Sequence, residues 1–325
     1  MAASASEVTP RALASRRRLS DRIGDTALYV LSAIAAFGTF VIFGLIVYRI
    51  VYGAWPALTT FGISFVWHTN WDPVTGAFGA LDFLYGTAVT SFAAVLIGGP
   101  LAIAIALYLT EIAPAAVRGL VGSLVEMLAA VPSVVLGLWG ILVLSPFLHD
   151  HVMPFLHRWL GFIPIFGEPN PGGGNMFIAI LILAIMIVPI TASVSRELFK
   201  AVPQDLKEGA YGLGLTRWEM VRGVLIPYTR GGLVAAVVLG MGRAVGEAIA
   251  VTQVIGAGWV IRSDLFGPGD TLASRIAGQY QGAVSKLQIA SLFYLAAILL
   301  VIGLLTNLFA QLIVRRFAVV RTGGS

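Results

Sequence analysis

Six long apolar segments, separated by polar ones, dominate the pattern along the chain. Each is at least as long as the roughly 20 residues that an α-helix needs to cross the hydrocarbon core of a bilayer. We predict membrane-spanning helices at Ala27–Tyr48, Phe83–Leu109, Gly119–Leu148, Met176–Ser195, Gly231–Val260 and Leu287–Val314. Backbone polar groups in lipid must be satisfied within the segment, so the predicted fold class is an all-α bundle of six transmembrane helices.

The composition agrees with a membrane protein and excludes several kinds of chemistry. Of the 325 residues, 58% are hydrophobic and only 11% are charged, far from the averages of soluble domains. The chain has no cysteine, which excludes disulfides, thiolate catalysis and cysteine metal sites. His149 and His151 are two residues apart with no third ligand evident, so we expect no metal site.

The net charge of +5 reflects membrane topology rather than a nucleic-acid partner. With the N-terminus inside, most Lys and Arg residues fall in residues 1–26, 110–118, 196–230 and 315–325. The positive-inside rule then places both termini in the cytoplasm, with 1–26 and 315–325 as tails. The first apolar segment is too long for a signal peptide, so we expect it to remain as the first span of an inner-membrane protein in contact with lipid.

The connection 196–230, between the fourth and fifth predicted spans, has the pattern of two short helices. Leu206, Ala210 and Leu213 recur at helical spacing. The segment Thr216–Glu219 fits a capping box, in which the Thr hydroxyl and the Glu carboxylate each satisfy a backbone donor. We therefore predict a bent helical hairpin on the cytoplasmic side.

This hairpin resembles the signature of importer permeases, which is Glu-Ala-Ala, three residues, Gly, nine residues, and Ile-x-Leu-Pro. The corresponding residues keep the spacing and are Glu208, Gly209, Ala210, Gly214 and Pro227. The departures are Gly209 in place of the first Ala and a rearranged Val-Leu-Ile before the Pro. The resemblance implies a type I ABC importer permease, whose coupling helix, here with Asp205 in its first turn, sits in a cleft of an ATPase subunit. The alternative is an ordinary amphipathic loop on the membrane surface.

No Gly-x-x-x-x-Gly-Lys-Ser/Thr phosphate-binding loop occurs anywhere in the chain. Nothing in the sequence is therefore suited to hold nucleotide phosphates, and no arrangement of a nucleophile and a base appears. We expect no cofactor in this chain and no enzyme activity of its own. ATP hydrolysis is expected in a separate subunit.

Arg243 and Glu247 lie four residues apart inside the predicted fifth span. On one helix this spacing places them on one face, close enough for an ion pair. A central Arg costs about 2.5–3.5 kcal/mol on insertion scales, so such residues normally face a bundle interior or a wet pathway. The paired donors of a guanidinium match a tetrahedral oxyanion, which favours an anion pathway. A buried ion pair that only fixes helix packing is the alternative.

The run Gly-Arg-x-x-Gly-Glu around these charges resembles phosphate permeases of the PstC type, in which the Arg and Glu are implicated in moving the anion. Further similar stretches are Phe78–Thr87 and Glu126–Gly140, so the resemblance covers roughly residues 78–256. It implies a substrate pathway that contains Arg243, Glu247, Glu126 and Ser133. Glu126 lies near the cytoplasmic end of its span, and a role at an interface remains open for it.

The same resemblance implies the partners and the substrate. The partners are a PstA-like permease subunit, two ATP-binding subunits and an external phosphate-binding protein, and the substrate is inorganic phosphate. Permeases for sulfate, molybdate or phosphonate share the loop architecture and remain alternatives. An ion-coupled secondary transporter, which would use intramembrane charges directly, is the alternative from a different class.

Overall fold

The computed structural model describes residues 19–170, 173–258 and 260–317, in two units that divide at residues 52 and 53. Helix α1, Leu19–Phe61, begins in the first unit and ends in the second. It extends well beyond the predicted first span. The thickness of the bilayer sets the length of the apolar part of a helix, but the helix can continue outside the hydrocarbon core. Of the predicted tail 1–26, the part up to residue 18 lies outside the described residues, and α1 takes in the rest.

Six described helices are long and apolar enough to cross a membrane, which confirms the predicted all-α class. They are Gly24–Val66, Leu81–Ile112, Ser133–Leu160, Met176–Lys200, Arg217–Gly246 and Lys286–Ile313. In residues 19–170, 173–258 and 260–317 the only strands are β1, Trp71–Asp72, and β2, Ala77–Phe78, which form an antiparallel hairpin. The six spans correspond in order to the predicted ones, but several of their boundaries differ.

The hairpin turn is held by Asp72, before the second span begins. Its carboxylate accepts hydrogen bonds from the Thr75 hydroxyl at 2.7 Å and the Val74 N–H at 2.8 Å. These bonds hold the pKa of Asp72 below its ordinary value, because they favour the charged form. Helix α2, Leu81–Leu107, follows and ends in a π-helical turn, Tyr108–Ile112.

The third predicted span, residues 119–148, is wrong as a single helix. Helix α3, Ala115–Ala130, ends before Val131 and Pro132, which are extended, and α4, Ser133–Trp139, begins after them. Proline has no N–H, and its ring disfavours helical backbone at the preceding residue. The helix then continues through the π-helical turn Gly140–Leu144, α5, Ser145–Phe147, a second π-helical turn, Leu148–Val152, and α6, Met153–Leu160.

Helix α7, Met176–Lys200, is the most buried of the six spans. The Asn175 side chain caps it by accepting a hydrogen bond from the Ile178 N–H at 3.0 Å. The largest buried apolar cluster surrounds α7 and includes Ile182, Ile187 and Phe266. The second, third and fifth spans therefore pack against α7, as expected for an element that is apolar on all sides.

The connection after α7 forms the predicted bend but not two short helices. Helix α8, Gln204–Gly212, is short, whereas α9, Arg217–Met220, runs through a π-helical turn, Val221–Leu225, into α10, Ile226–Gly246. The predicted capping box at the start of α9 is confirmed. The predicted loop 196–230 is therefore helical except between α7 and α8 and around the bend.

The fifth span is interrupted, so the predicted single helix Gly231–Val260 is also wrong. Helix α10 ends at Gly246, and the short helix α11, Ile249–Val254, follows. Helix α12, Leu272–Gln279, lies before the last helix α13, Lys286–Phe317. The predicted C-terminal tail 315–325 is helical as far as Phe317, and its remainder lies outside the described residues.

Candidate functional site

The loop between α7 and α10 is anchored to the second span by a buried ion pair. Lys207 Nζ of α8 lies 2.6 Å from Glu111 Oε1 in the π-helical turn after α2, and these side chains are only 10% and 13% exposed. The same ammonium group lies 3.4 Å from the carbonyl oxygen of Phe199 at the end of α7. These contacts fix α8 against two membrane helices.

A small apolar cluster lies beneath α8 and completes this attachment. Its buried members are Ala106, Phe199, Val202, Ala210, Met220, Val221, Leu225 and Leu233. The predicted apolar face of the first loop helix is therefore only partly correct, since Ala210 is buried but Leu206 and Leu213 are exposed. Leu213 caps the end of α8, where the chain turns away from the cluster, and so cannot join it.

The opposite side of the loop presents apolar side chains to the surroundings. We call Leu206, Tyr211, Leu213 and Trp218 the loop face, and all four are exposed. Of the predicted coupling residues, Asp205, Glu208, Gly209 and Gly214 are exposed on the same loop, Ala210 is buried beneath it, and Pro227 lies apart on α10. Exposed apolar side chains with acidic residues beside them are typical of a protein interaction site.

The two glycines of the loop signature differ in whether their backbone conformation requires glycine. Gly209 lies inside α8, and a Cβ there would meet nothing within 4 Å, whereas Gly214 has a φ of +82°. We expect Gly209→Ala to stabilise the fold by about 0.5–1 kcal/mol, because alanine loses less backbone entropy in a helix. Gly214→Ala, the matched substitution, is expected to destabilise it by about 1–2 kcal/mol through left-handed strain.

Thermal unfolding of the purified chain in detergent measures both changes. The apparent midpoint rises for Gly209→Ala and falls for Gly214→Ala. A fall for Gly209→Ala would contradict the open space around that position, and an unchanged midpoint for Gly214→Ala would contradict the required left-handed backbone.

The interruptions of the third and fifth spans lie next to each other. A Cβ on Gly137 of α4 would lie 2.8 Å from the Cα of Ala250, in α11, and 3.0 Å from the side-chain oxygen of Gln253. Gly137 is four residues beyond Ser133, and Ala250 is close to the start of α11. We call α4 and α11 half-helices; they pack directly against each other, and only glycine at position 137 permits this contact.

The predicted ion pair between Arg243 and Glu247 is absent among the described residues. Glu247 has left the helix, with φ −73° and ψ 116°, and its carboxylate accepts a hydrogen bond from the Ala250 N–H at 3.3 Å. Arg243 remains on α10 with an exposed side chain.

The two other predicted pathway residues lie on either side of the interruption in the third span. The Glu126 carboxylate of α3 lies 2.5 Å from Arg196 Nη2 of α7, and a Cβ on Gly122 would come within 2.8 Å of the same guanidinium. This contact supports a role at a helix interface for Glu126. Ser133 is partly exposed at the first position of α4, and no other described residue forms a hydrogen bond with its side chain.

Sequence reasoning missed a buried charge cluster between α2 and α12. We call Asp82, Asp270 and Arg275 the Arg275 cluster; these residues are 7%, 5% and 4% exposed. Arg275 Nε lies 2.8 Å from Asp270 Oδ2, and the guanidinium lies 4.6 Å from the centre of the Phe83 ring. Neither carboxylate oxygen of Asp82 has a hydrogen-bond partner among the described residues. One buried cation therefore faces two buried carboxylates.

Helix α12 is held firmly at this cluster. Its Leu272 N–H donates to the Thr87 hydroxyl of α2 at 2.9 Å, and the Thr271 N–H donates to the Asp270 carboxylate at 2.8 Å. Burial raises the pKa of Asp270 even though the Arg275 guanidinium opposes that effect. The sequence offers little signal for this cluster, because Asp82 directly precedes the second predicted span and Arg275 lies in the connection between the fifth and sixth, where charges are ordinarily solvated.

The comparison with protein families places most of the chain in one of them. Residues 98–319 match the family described as binding-protein-dependent transport system inner membrane component. This range contains the loop face, the interrupted third and fifth spans, and Arg243. The match therefore includes every predicted coupling and pathway residue.

Two relatives and two solved structures define the resemblance further. The chain is 40% identical to the phosphate transport system permease protein PstC of Pasteurella multocida, over 93% of this chain and 95% of that protein. It is 42% identical to PstC of Mesorhizobium japonicum, over 92% of each. A bacterial alginate ABC transporter shares the fold, with a TM-score of 0.59 at 19% identity over 93% of this chain and 98% of that one.

The MetNI methionine ABC transporter shares the fold as well, with a TM-score of 0.51 at 22% identity over 74% of this chain and 95% of that one. Sequence identities this low carry only the arrangement of the helices. The identity to the two PstC proteins is much higher and extends over almost the whole length. The chain therefore belongs to the binding-protein-dependent transport system inner membrane components, and among them to the PstC family of phosphate transport system permeases.

Proposed function

We propose that this chain is a membrane-spanning permease subunit of an ATP-driven importer that moves inorganic phosphate across the inner membrane. The observation that carries this proposal is the match to phosphate permeases over nearly the full length of the chain. With six apolar helices and this family membership, the chain is a multi-pass inner-membrane protein. Both termini and the loop face lie in the cytoplasm, as the excess of Lys and Arg on that side favours.

Arg243 is the residue that contacts the anion in this proposal. Its guanidinium is exposed on α10 and free of Glu247, because Glu247 is engaged in capping α11. Its paired N–H donors are therefore free to bind the oxygens of phosphate. Ser133 offers a hydroxyl on α4, which packs against α11.

Glu247 supports the choice of phosphate over sulfate. A carboxylate only accepts hydrogen bonds, so it pairs with the O–H of a protonated phosphate. Fully ionised sulfate has no such proton and would meet only repulsion. Glu247 is partly exposed. Among the described residues its carboxylate accepts one hydrogen bond, from the Ala250 N–H.

The loop face is the surface that binds an ATP-binding subunit. Its four exposed apolar side chains, with Asp205 and Glu208 beside them, fit the cleft of an ATP-binding subunit, and the buried Lys207–Glu111 pair links α8 to the second span. The complete importer contains a PstA-like permease subunit, two ATP-binding subunits and an external phosphate-binding protein. This chain itself binds no nucleotide and no cofactor.

The test is uptake of labelled phosphate by vesicles that contain the complete importer, with the binding protein outside and ATP inside. We expect uptake that requires ATP, stops with vanadate and resists competition from excess sulfate. ATP-independent uptake that persists with vanadate and follows an ion gradient would instead indicate a secondary carrier. Equal competition by sulfate would remove phosphate as the preferred substrate.

A further inference from the structure

A groove between α10 and α13 has one apolar wall and one partly polar wall, and none of the predicted pathway residues lines it. It has a volume of about 430 Å³ and is lined by Ala235, Val238, Leu239, Asn307, Ala310, Gln311 and Arg315. The wall contributed by α10 is entirely apolar. The wall contributed by α13 carries three polar side chains spaced four residues apart, so they form one line along the helix.

The polar line ends at the edge of the apolar span. The apolar run of α13 ends at Val314, and Arg315 follows it directly. Gln311 and Asn307 lie about 6 Å and 12 Å deeper along the helix, at 1.5 Å per residue. The headgroup region of a bilayer is roughly 5–8 Å thick on each side, so with Arg315 at headgroup depth Gln311 lies near the boundary with the hydrocarbon and Asn307 lies inside it.

These side chains are exposed and lack hydrogen-bond partners in the part of the chain that the structure describes. Asn307 and Gln311 are exposed, and neither forms a hydrogen bond to any other described residue. An amide that faces hydrocarbon without a partner is unfavourable, so something that accepts hydrogen bonds is needed beside them. The chemistry that a bound molecule must offer changes with depth. It needs an anion at Arg315 and neutral hydrogen-bond acceptors at Gln311, and it needs an apolar surface along α10.

We propose that this groove binds an anionic phospholipid, with its phosphate on Arg315, its ester carbonyls near Gln311 and one acyl chain along Ala235, Val238 and Leu239. Basic pockets between membrane helices are known to hold such headgroups. A helix from a neighbouring subunit fits the observations less well. The cation lies at the membrane edge, where a lipid phosphate is always present, and the polar line continues inward only along one wall.

The experiment uses the purified importer, stripped of lipid in detergent and then exposed to phosphatidylglycerol or phosphatidylcholine. Native mass spectrometry counts the lipids that remain bound. The wild-type importer is expected to retain phosphatidylglycerol at least about fivefold better than phosphatidylcholine, the preference expected from one well-placed basic residue. Arg315→Gln is expected to lose this preference.

Two further variants separate a site from general surface charge. Arg316→Gln removes the same charge one residue later, outside the groove lining, and is expected to keep the preference. Ala235→Leu fills the apolar wall and is expected to reduce retention while Arg315 is still present. Thermal unfolding midpoints close to wild type establish that each variant is folded.

Three results would overturn the proposal. Equal losses in Arg315→Gln and Arg316→Gln would mean that only net charge attracts the lipid. Displacement of the lipid by inorganic phosphate would mean that the acyl chain contributes nothing. If Arg315→Gln releases the partner permease while the wild-type complex retains no lipid, a protein helix occupies the groove.

Discussion

An Arg275→Gln variant is expected to lose about 3–5 kcal/mol of folding stability. This is the usual cost of removing one member of a buried ion pair, because the remaining charge stays in a medium of low dielectric constant. Here the loss leaves both Asp82 and Asp270 buried without a cation. The guanidinium also contacts the face of the Phe83 ring, and glutamine does not replace that contact. The measurement is the unfolding midpoint, or the yield of folded protein, in detergent.

Two control substitutions show whether the Arg275 cluster behaves as described. Arg262→Gln removes a guanidinium that is 52% exposed from its pair with Asp264, and it is expected to cost about 1 kcal/mol. Asp82→Asn removes a buried charge whose oxygens lack hydrogen-bond partners among the described residues. Its stability is expected to be unchanged or higher, because Arg275 keeps Asp270 as its partner at 2.8 Å and the desolvation penalty of the buried Asp82 carboxylate, several kcal/mol, is removed. Similar losses in Arg275→Gln and Arg262→Gln would contradict the cluster.

An Arg243→Gln variant is expected to take up phosphate roughly tenfold to a hundredfold more slowly than the wild type. Hydrogen bonds to a charged group contribute about 1.5–3 kcal/mol, and this range corresponds to such factors. Because Arg243 is exposed and pairs with no described carboxylate, its removal leaves no buried charge behind, so stability is expected to change little. Initial uptake rates at equal membrane levels of the importer measure the effect.

Arg243→Lys and Glu247→Gln test the chemistry of the pathway. Lysine keeps the charge but loses the planar pair of donors, so an intermediate rate is expected. Glu247→Gln keeps the size of the side chain and one acceptor oxygen for the Ala250 N–H, and it is expected to let sulfate compete more strongly. Wild-type rates in both Arg243 variants would remove this residue from the pathway.

The number and order of the spans were predictable from the sequence, because lipid permits few alternatives to a long apolar helix. The bend of the loop was predictable as well, since Thr216 and Glu219 form a local capping box. Such features depend on residues within one turn of each other, so pattern and spacing are enough to identify them.

The interruptions of the third and fifth spans were not predictable in the same way. Apolar length alone does not distinguish one helix from two that are joined by extended residues, and Pro132 is compatible with a kink as well as a break. Arg243 and Glu247 had the spacing of a helical pair, but the backbone at Glu247 is extended. That outcome depends on the packing of α11 against α4, which is a contact between distant parts of the chain.

The Arg275 cluster shows a second limit of sequence reasoning. Asp82 and Arg275 are almost 200 positions apart, one at the start of the second span and the other within the connection between the fifth and sixth. Counting charges by side treats them as solvated. Their burial follows from the way in which α12 is attached to Thr87 of α2, and no local pattern encodes that contact.

The contact between Gly137 and Ala250 also constrains how the permease moves. With no space for even a Cβ between them, α4 and α11 are not free to rotate or slide independently. We therefore expect these two half-helices to move as one rigid body. The extended residues at Pro132 and Glu247 then act as two hinges. We expect the backbone dihedral angles to change there when α4 and α11 move, while α3 and α10 stay in place.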